Sequence, residues 1–450
     1  MTNKLFGTDG VRGVAGSYPM NVDFAIKLAD VLCDLVLTDK KRVVIGKDTR
    51  ISGDMIESAL CAGFTKNGVD VISLGVVPTP LITSQIKDLD VDMGIMITAS
   101  HNPYYDNGIK LINKEGDKFD DVFYAKVEEF LENKNKKNED TSISLGKITR
   151  DESVIEKYIT KIRDIAPNYK SLQGLRVVLD CANGAYFYIL PQIFKDLGAG
   201  VIAINNNPDG YNINKECGSQ HTSVLSQTVI ESKAHFGIAV DGDGDRIILV
   251  DEKGNVIDGD QLLCFLANYM KKHNMLLGNT VISTEWSNLG LGEYLNKNDF
   301  SYYKSKVGER YVIDLMKEKK STLGGEVVGH IVLSLFSKSG DAAVVGLISA
   351  LAYIEEKKKL SEIFPIFNPY PCIIKNIRFS TNEFMRQSVE YDDVKQAIDA
   401  SKKLLGDDSN LIVRKSGTEP VIKLRIEGKD AVVVKKVAED LKTLISKYQK

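Results

Sequence analysis

The sequence predicts three α/β units followed by a smaller C-terminal α+β domain, and three observations predict it. Short β-branched runs alternate with amphipathic stretches along most of the chain, which is the strand, crossover helix, strand order of layered α/β proteins. Two of these units share a plan, each opening on Arg-Val-Val and reaching a glycine before its next strand (Gly68 and Gly198). Finally, a proline-rich stretch near residue 368 is followed by a short strand and helix series of its own.

In order, "RVVIGKD" (42–48) predicts a strand and "SGDMIESALCAGFTKNG" (52–68) the helix that follows it. The polar, unpatterned "ENKNKKNEDTS" (132–142) reads as a linker or surface excursion. "LRVVLDCANG" (175–184) and "ILPQIFKDLGAG" (189–200) repeat the strand and helix plan, and "NTVISTEW" (279–286) with "NLGLGEYLNKN" gives a third unit. "PIFNPYPC" (365–372) interrupts either periodicity. Beyond it come "CIIKNIRF", a helix near 391–405, the strand "LIVRKSG" and a final helix over about 430–448.

At 450 residues the chain exceeds one hydrophobic core, so two to four domains are expected, with chemistry in a cleft between them. Its 58 Lys+Arg and 61 Asp+Glu leave a formal charge of -3 without a long basic block, which argues against nucleic-acid binding. No run reaches the ~20 apolar residues of a membrane helix, and "MTNKLFGTDG" lacks a signal-peptide core. Six cysteines scattered without CxxC pairing suit reduced thiols. A cytoplasmic protein with a small-molecule substrate, no nucleic-acid or membrane partner, and a monomeric or homodimeric state is the expectation.

Four constellations carry chemistry. In "MITASHNPYYDNGIK" (96–110) an apolar strand ends at Thr98, so Ser100 sits at a strand's carboxyl end, where open α/β sheets place ligands. Taken alone, Ser100 reads as a turn cap rather than a nucleophile. In "FGIAVDGDGDRIILVDE" (236–252), Asp241, Asp243 and Asp245 recur at period two between glycines. Three carboxylates curled onto one centre repel one another and call for a hard cation such as magnesium. An EF-hand also places Asp at positions one, three and five and has its Glu at twelve (Glu252), but its sixth position requires glycine and is Arg246, and the flanks read as strands.

"LIVRKSGTEPVIKLRIEG" (411–428) offers Ser416, Gly417 and Thr418 as a concave row of N–H groups and hydroxyls after Arg414, the makings of a phosphate nest. In the strand that follows, Lys423 and Arg425 share the polar face. The fourth constellation is "GEVVGH" (325–330): if extended, it points Glu326, Val328 and His330 to one side, fitting either a buried strand start or a hydroxyl-reading pair. A phosphate carrier, a magnesium site, a phosphate nest and a hydroxyl reader together describe phosphoryl transfer.

Nine stretches in order, "FGTDGVRG", "TASHNP", "NGIK", "DCANGA", "NINKECGS", "DGDGDR", "SNLG", "KVGERYV" and "RKSGTEP", resemble the α-D-phosphohexomutase superfamily over essentially the whole chain. The resemblance implies a heart-shaped, four-domain protein with mixed sheets. Its domains would be a phosphoserine-carrying 1–150, a metal-binding 151–253, a sugar-recognition 254–367 and a phosphate-binding 368–450. The branch it is most similar to interconverts glucosamine 6-phosphate and glucosamine 1-phosphate towards UDP-N-acetylglucosamine and peptidoglycan; mannose- and glucose-phosphate mutases are the alternative, and a non-catalytic phosphosugar binder a further one.

Carried over by this resemblance, a phosphorylated Ser100 would complete the magnesium site of Asp241, Asp243 and Asp245, with glucosamine or glucose 1,6-bisphosphate as activator. His101 and Lys110 would flank the transferring group, with Lys110 as general base if its pKa is lowered. Arg12 and Arg246 would neutralise charge, Glu326 and His330 would meet sugar hydroxyls, and Arg414, Ser416, Gly417, Thr418 and Lys423 would hold the second phosphate. Three positions depart from the family pattern: Val328 replaces a serine, Lys423 an arginine, for which Arg425 is a candidate substitute, and Ala342 a glycine, a change that matters only if the backbone there needs positive φ.

Overall fold

The computed structural model describes residues 5–37, 41–133, 144–415 and 420–449. It divides into two compact units, one of Thr8–Trp286 with Phe300–Ile366, the other of Met1–Gly7, Ser287–Asp299 and Phe367–Lys450.

The larger unit holds three sheets. In the first, the order is Val11–Val14, Asp106–Asn113, Met93–Ile97, Arg42–Lys47, Asp70–Val76, Ile148–Arg150. Its centre is parallel, and Asp106–Asn113 runs antiparallel to both of its neighbours, Met93–Ile97 and the edge strand Val11–Val14. The strand Met93–Ile97 is buried along its entire length, and all but the ends of Arg42–Lys47 are buried. Continuous apolar runs of this kind mark strands covered on both faces. One cover is the helix Gly53–Lys66, and packed on that helix is Val22–Leu35, which starts where the Asn21 side chain accepts from Phe24 N and buries Phe24, Leu28, Val31 and Leu32.

The second sheet runs Val256–Ile257, Ile247–Asp251, Phe236–Val240, Arg176–Asp180, Gly200–Ile204, again mixed. The third runs Ser301–Ser305, Thr280–Thr284, Leu323–Gly325, Ile331–Leu333. Against it lies the helix Ala342–Glu356, whose amino end is capped by Asp341 accepting from Ala343 and Val344 N–H. Ala342 lies at the start of this helix without positive φ, so replacing a glycine here strains nothing.

The smaller unit is an antiparallel sheet, Cys372–Arg378, Val421–Gly428, Ser409–Lys415, backed by the helices Asp392–Leu405 and Ala431–Ser446. Ile422, Leu424 and Ile426 alternate inward onto Val434, Val437 and Leu441. The helix Leu289–Lys297 groups with this unit because Leu289 N–H donates to Glu427 Oε1 (2.8 Å) and Gly290 packs against Phe367 and Asn368. The linker stretch 132–142 lies outside the described residues except for Glu132 and Asn133, which end the helix Asp121–Asn133.

Candidate active site

Each sheet of the larger unit delivers one part of the site at a strand end. After the strand Met93–Ile97 the chain turns back into Asp106–Asn113, and Ser100 takes a left-handed conformation (φ 53), uncommon for a residue with a Cβ. Its hydroxyl donates to Asp241 Oδ2 at 2.7 Å and lies 3.4 Å from His101 Nδ1, while the residue is only 1 % exposed.

Asp241 to Arg246 form the connection of an antiparallel hairpin, with Val240 paired to Ile247. The flanks are strands, as the sequence predicts, and no EF-hand is formed. Gly242 is required by close approach: a Cβ there would stand 2.6 Å from Ser100 O. All three aspartates are buried, with one ligand oxygen from each within 4.8 Å of the others.

The donor set fits a hard cation. Asp243 Oδ2 accepts from Thr79 and Lys110, and Asp245 Oδ2 from Lys110, whereas Asp243 Oδ1 and Asp245 Oδ1 have no hydrogen-bond partner among the described residues. Asp245 Oδ1 has only longer ionic contacts, to His330 Nδ1 (3.6 Å) and Arg246 Nε (3.9 Å). Burial, and then the charges of Asp245 and Asp243, push the Asp241 carboxyl well above the usual range. Buried oxygens without donors and a repelled carboxylate are what a magnesium ion would relieve.

Lys110 departs from expectation. Burial favours its neutral form, but Asp243, Asp245 and Asp9 hold it well above the usual lysine pKa, through contacts of 2.6, 2.8 and 3.2 Å. A lysine becomes a base at neutral pH when cations crowd it, whereas the ion-pair partners of this one are carboxylates. His101 is the opposite case: burial, then Arg246 and Arg12, lower it to about 3, leaving a neutral imidazole. Arg12 pairs with Asp9 (2.8 Å), which also meets Lys110 and Lys118.

The "GEVVGH" stretch is a reversal, not an extended segment. The strands Leu323–Gly325 and Ile331–Leu333 pair antiparallel, Glu326 N–H donates to His330 O (2.9 Å), and Gly329 turns with φ 86. This raises Val328 to the tip, 45 % exposed, while Glu326 and His330 stay buried. Glu326 Oε1 accepts from Gly308 N–H at 3.0 Å. His330 Nε2 lies 2.7 Å from Glu309 Oε1. Burial lowers the His330 pKa, but Glu309 and Asp245 outweigh it and raise it to about 9.

Glu309, Lys118, Asp9 and Thr79 join this cluster and were not singled out by sequence reasoning. Two of them sit in quoted motifs, Asp9 in "FGTDGVRG" and Glu309 in "KVGERYV". Only the fold reveals that Lys118 bridges Asp9 and Glu309.

The remaining predicted residues belong to the smaller unit. Ser416, Gly417 and Thr418 lie outside the described residues. Arg414 and Lys423 are directly opposite one another in adjacent strands. Arg425, a candidate substitute for an arginine at 423, is instead buried and paired with Glu427 at 2.7 Å.

Comparison with known proteins is uniform in direction. Residues 3–138 match the phosphoglucomutase/phosphomannomutase alpha/beta/alpha domain I, 156–254 domain II, 258–370 domain III and 375–444 the C-terminal domain. A phosphoglucosamine mutase of Bartonella tribocorum is 42% identical over 450 residues, covering 100% of this chain and 98% of the relative. That of Brucella ovis is 44% identical over 453 residues, covering 99% and 98%. Among solved structures, a phosphoglucomutase/phosphomannomutase family protein from Burkholderia thailandensis superposes with a TM-score of 0.80 at 22% identity, covering 100% of this chain and 98% of that one. An Aspergillus fumigatus N-acetylphosphoglucosamine mutase in complex with GlcNAc-6P and magnesium gives 0.67 at 16% identity, covering 99% and 96%. These two likenesses concern the fold.

Proposed function

The chain belongs to the α-D-phosphohexomutase superfamily, and from that premise we propose that it acts as a phosphoglucosamine mutase. It interconverts glucosamine 6-phosphate and glucosamine 1-phosphate through a phosphoserine at Ser100 and a 1,6-bisphosphate intermediate. The supporting observation is the Ser100 hydroxyl held 2.7 Å from Asp241 within a cluster of three buried aspartates.

In this reading the Ser100 Oγ–P bond breaks as the bond from phosphorus to the sugar oxygen forms, and the bisphosphate returns its other phosphoryl group to Ser100 Oγ. Asp241, Asp243 and Asp245, together with the phosphorylated Ser100, would hold Mg2+, which would supply positive charge beside the transferring group. Such transfers depend mainly on positioning and charge. Lys110, Arg12 and Arg246 therefore act as fixed cations; the sugar hydroxyl gives up its proton as it takes the phosphoryl group and Ser100 Oγ gains one, the reverse holding for the return transfer, with neutral His101 3.4 Å from Oγ. Glu326 and His330 address sugar hydroxyls. Arg414 and Lys423, directly opposite one another in the sheet, take the non-reacting phosphate together with Ser416, Gly417 and Thr418.

The four functions fall to 1–150, 151–253, 254–367 and 368–450. We read the protein as a cytoplasmic monomer or homodimer supplying peptidoglycan precursors without nucleic-acid or membrane partners; no described helix is long and apolar enough to cross a membrane. A second reading, a phosphomannomutase or phosphoglucomutase, is favoured by one feature, the hydroxyl-free Val328 at the exposed turn.

The test is turnover of glucosamine, glucose and mannose 6-phosphates by purified protein with Mg2+ and glucose 1,6-bisphosphate. The expected result is a clear glucosamine preference, a phosphate adduct of ~80 Da on Ser100, and loss of at least about 10³-fold in Ser100→Ala. Absence of turnover on every hexose phosphate would overturn the reading, and a mannose or glucose preference would favour the second.

A further inference from the structure

We infer that the buried Asp48–Arg50 ion pair is the positioning device of the reaction, holding the backbone of Ser100 on both sides so that its hydroxyl faces the aspartate cluster. The inference rests on the reading of Ser100 as phosphate carrier. Neither residue touches Ser100 Oγ, and neither belongs to the site assigned above.

Arg50 is 2 % exposed and Asp48 0 %. A guanidinium has five N–H donors in one plane, and here each has an acceptor. Nε donates to Asp48 Oδ2 at 2.9 Å. Nη1 donates to the carbonyls of Pro103 and Asp106, the latter at 3.0 Å. Nη2 donates to those of Ser100 (3.0 Å) and Asn102 (2.8 Å). One side chain therefore gathers four carbonyls of the turn that presents the serine. A lysine offers no such plane.

The other side of Ser100 is tied to the same pair. Ser100 N–H donates to Thr98 Oγ1 (2.8 Å), and Thr98 Oγ1 donates to Asp48 Oδ2 (2.6 Å). Asp48 Oδ1 accepts from Arg50 N–H (2.9 Å), closing the network. Both backbone polar groups of a residue in the left-handed region, φ 53, are thus fixed by one ion pair, directly at the carbonyl and through Thr98 at the nitrogen. Such a backbone persists only where its surroundings over-determine it. The Asn214 side chain adds one further donor to Ser100 O (2.8 Å), from a different element.

The test uses the full-length protein with Arg50→Lys, Thr98→Val and Thr98→Ser. Misplacing a reacting group by an ångström costs on the order of 100-fold, so Arg50→Lys is expected to lower kcat by about that factor. Thr98→Val is expected to lower kcat and to slow phosphorylation of Ser100 by glucose 1,6-bisphosphate, read by intact mass, and Thr98→Ser to restore both. In each case KM for the sugar phosphate stays within about threefold, since uniform binding is untouched. Wild-type kcat in both Arg50→Lys and Thr98→Val, equal impairment of the valine and serine variants, or matching changes in KM would overturn the inference. If Arg50→Lys fails to fold, the Thr98 pair decides. If the wild type itself never acquires phosphate, the carrier reading fails and a crystal structure of Thr98→Val decides the positioning: a Ser100 φ outside the left-handed region supports it, and an unchanged one overturns it.

Discussion

The turn around Ser100 and the turn around Val328 both hang from strand ends in the same unit, yet they are built on opposite plans. At Ser100 the reactive group is innermost, with its backbone fixed by buried donors and acceptors and its hydroxyl against Asp241. At Val328 the ends are fixed and the middle is outermost: Glu326 and His330 are tied to Gly308 N–H and Glu309, while the tip stands in solvent. The difference separates two properties of one enzyme. On the proposed function, phosphoryl transfer falls where any change disturbs a buried charge network, and sugar choice falls where a side chain can be exchanged at little structural cost.

The largest effect that would break this contrast lies on the buried side. Asp241→Asn removes one charge of the metal cluster and leaves one acceptor oxygen where there were two, which accept from the Ser100 hydroxyl and from Arg246 N–H. Losing transition-state charge stabilisation of this kind is expected to cost at least about 10³-fold in kcat, and Mg2+ is expected to raise the unfolding temperature of the wild type but not of the variant. Near-normal turnover in Asp241→Asn would mean that the buried network is not where the chemistry depends on charge.

How much of this was legible depended on whether a residue's partner lies near it in sequence. Asp241, Asp243 and Asp245 announce themselves because their convergence is local, a tight hairpin connection between two apolar strands. The alternation of Ile422, Leu424 and Ile426 likewise states its own buried face. Lys110 misleads because its environment comes from residues more than 100 positions away, Asp9, Asp243 and Asp245, and sequence gives no sign of whether distant neighbours are cations or carboxylates. Arg50 is invisible for the same reason: its acceptors are carbonyls, which every residue has. A period-two face through "GEVVGH" cannot form because Gly329, with a φ of 86, turns the chain back, and nothing in the neighbouring residue types marks that glycine as a turn.

A smaller effect sharpens the contrast at the fixed ends of the exposed turn. His330 has its pKa raised from the ordinary 6.5 to about 9; burial opposes the shift and Glu309 and Asp245 produce it. A group protonated more tightly in the folded state contributes stability that is complete below its unfolded pKa and is lost as pH rises through the folded one. The metal-free protein should therefore lose about 3 kcal/mol of stability between pH 6.5 and 9 from this residue, and denaturant titrations in EDTA across that window would measure it. Glu309→Gln removes the nearest carboxylate, so its stability should fall less steeply with pH over the same interval. An unchanged slope would show that the turn's ends are not held by this charge pair.

The smallest effect is at the tip itself. Val328→Ser restores a hydroxyl at a position 45 % exposed, where substitutions usually change folding stability by no more than about 0.5 kcal/mol. One added hydrogen bond to a sugar hydroxyl is worth ~0.5–1.5 kcal/mol, so kcat/KM for glucosamine 6-phosphate should rise about two- to tenfold. The rate at which bisphosphate phosphorylates Ser100 should stay the same, because no atom of the buried network moves. Parallel progress curves on glucosamine, glucose and mannose phosphates separate the outcomes. A rise confined to one sugar assigns specificity to the tip, an equal rise on all three makes Val328 a general binding contact, and a change in Ser100 phosphorylation would mean that the two turns are coupled after all.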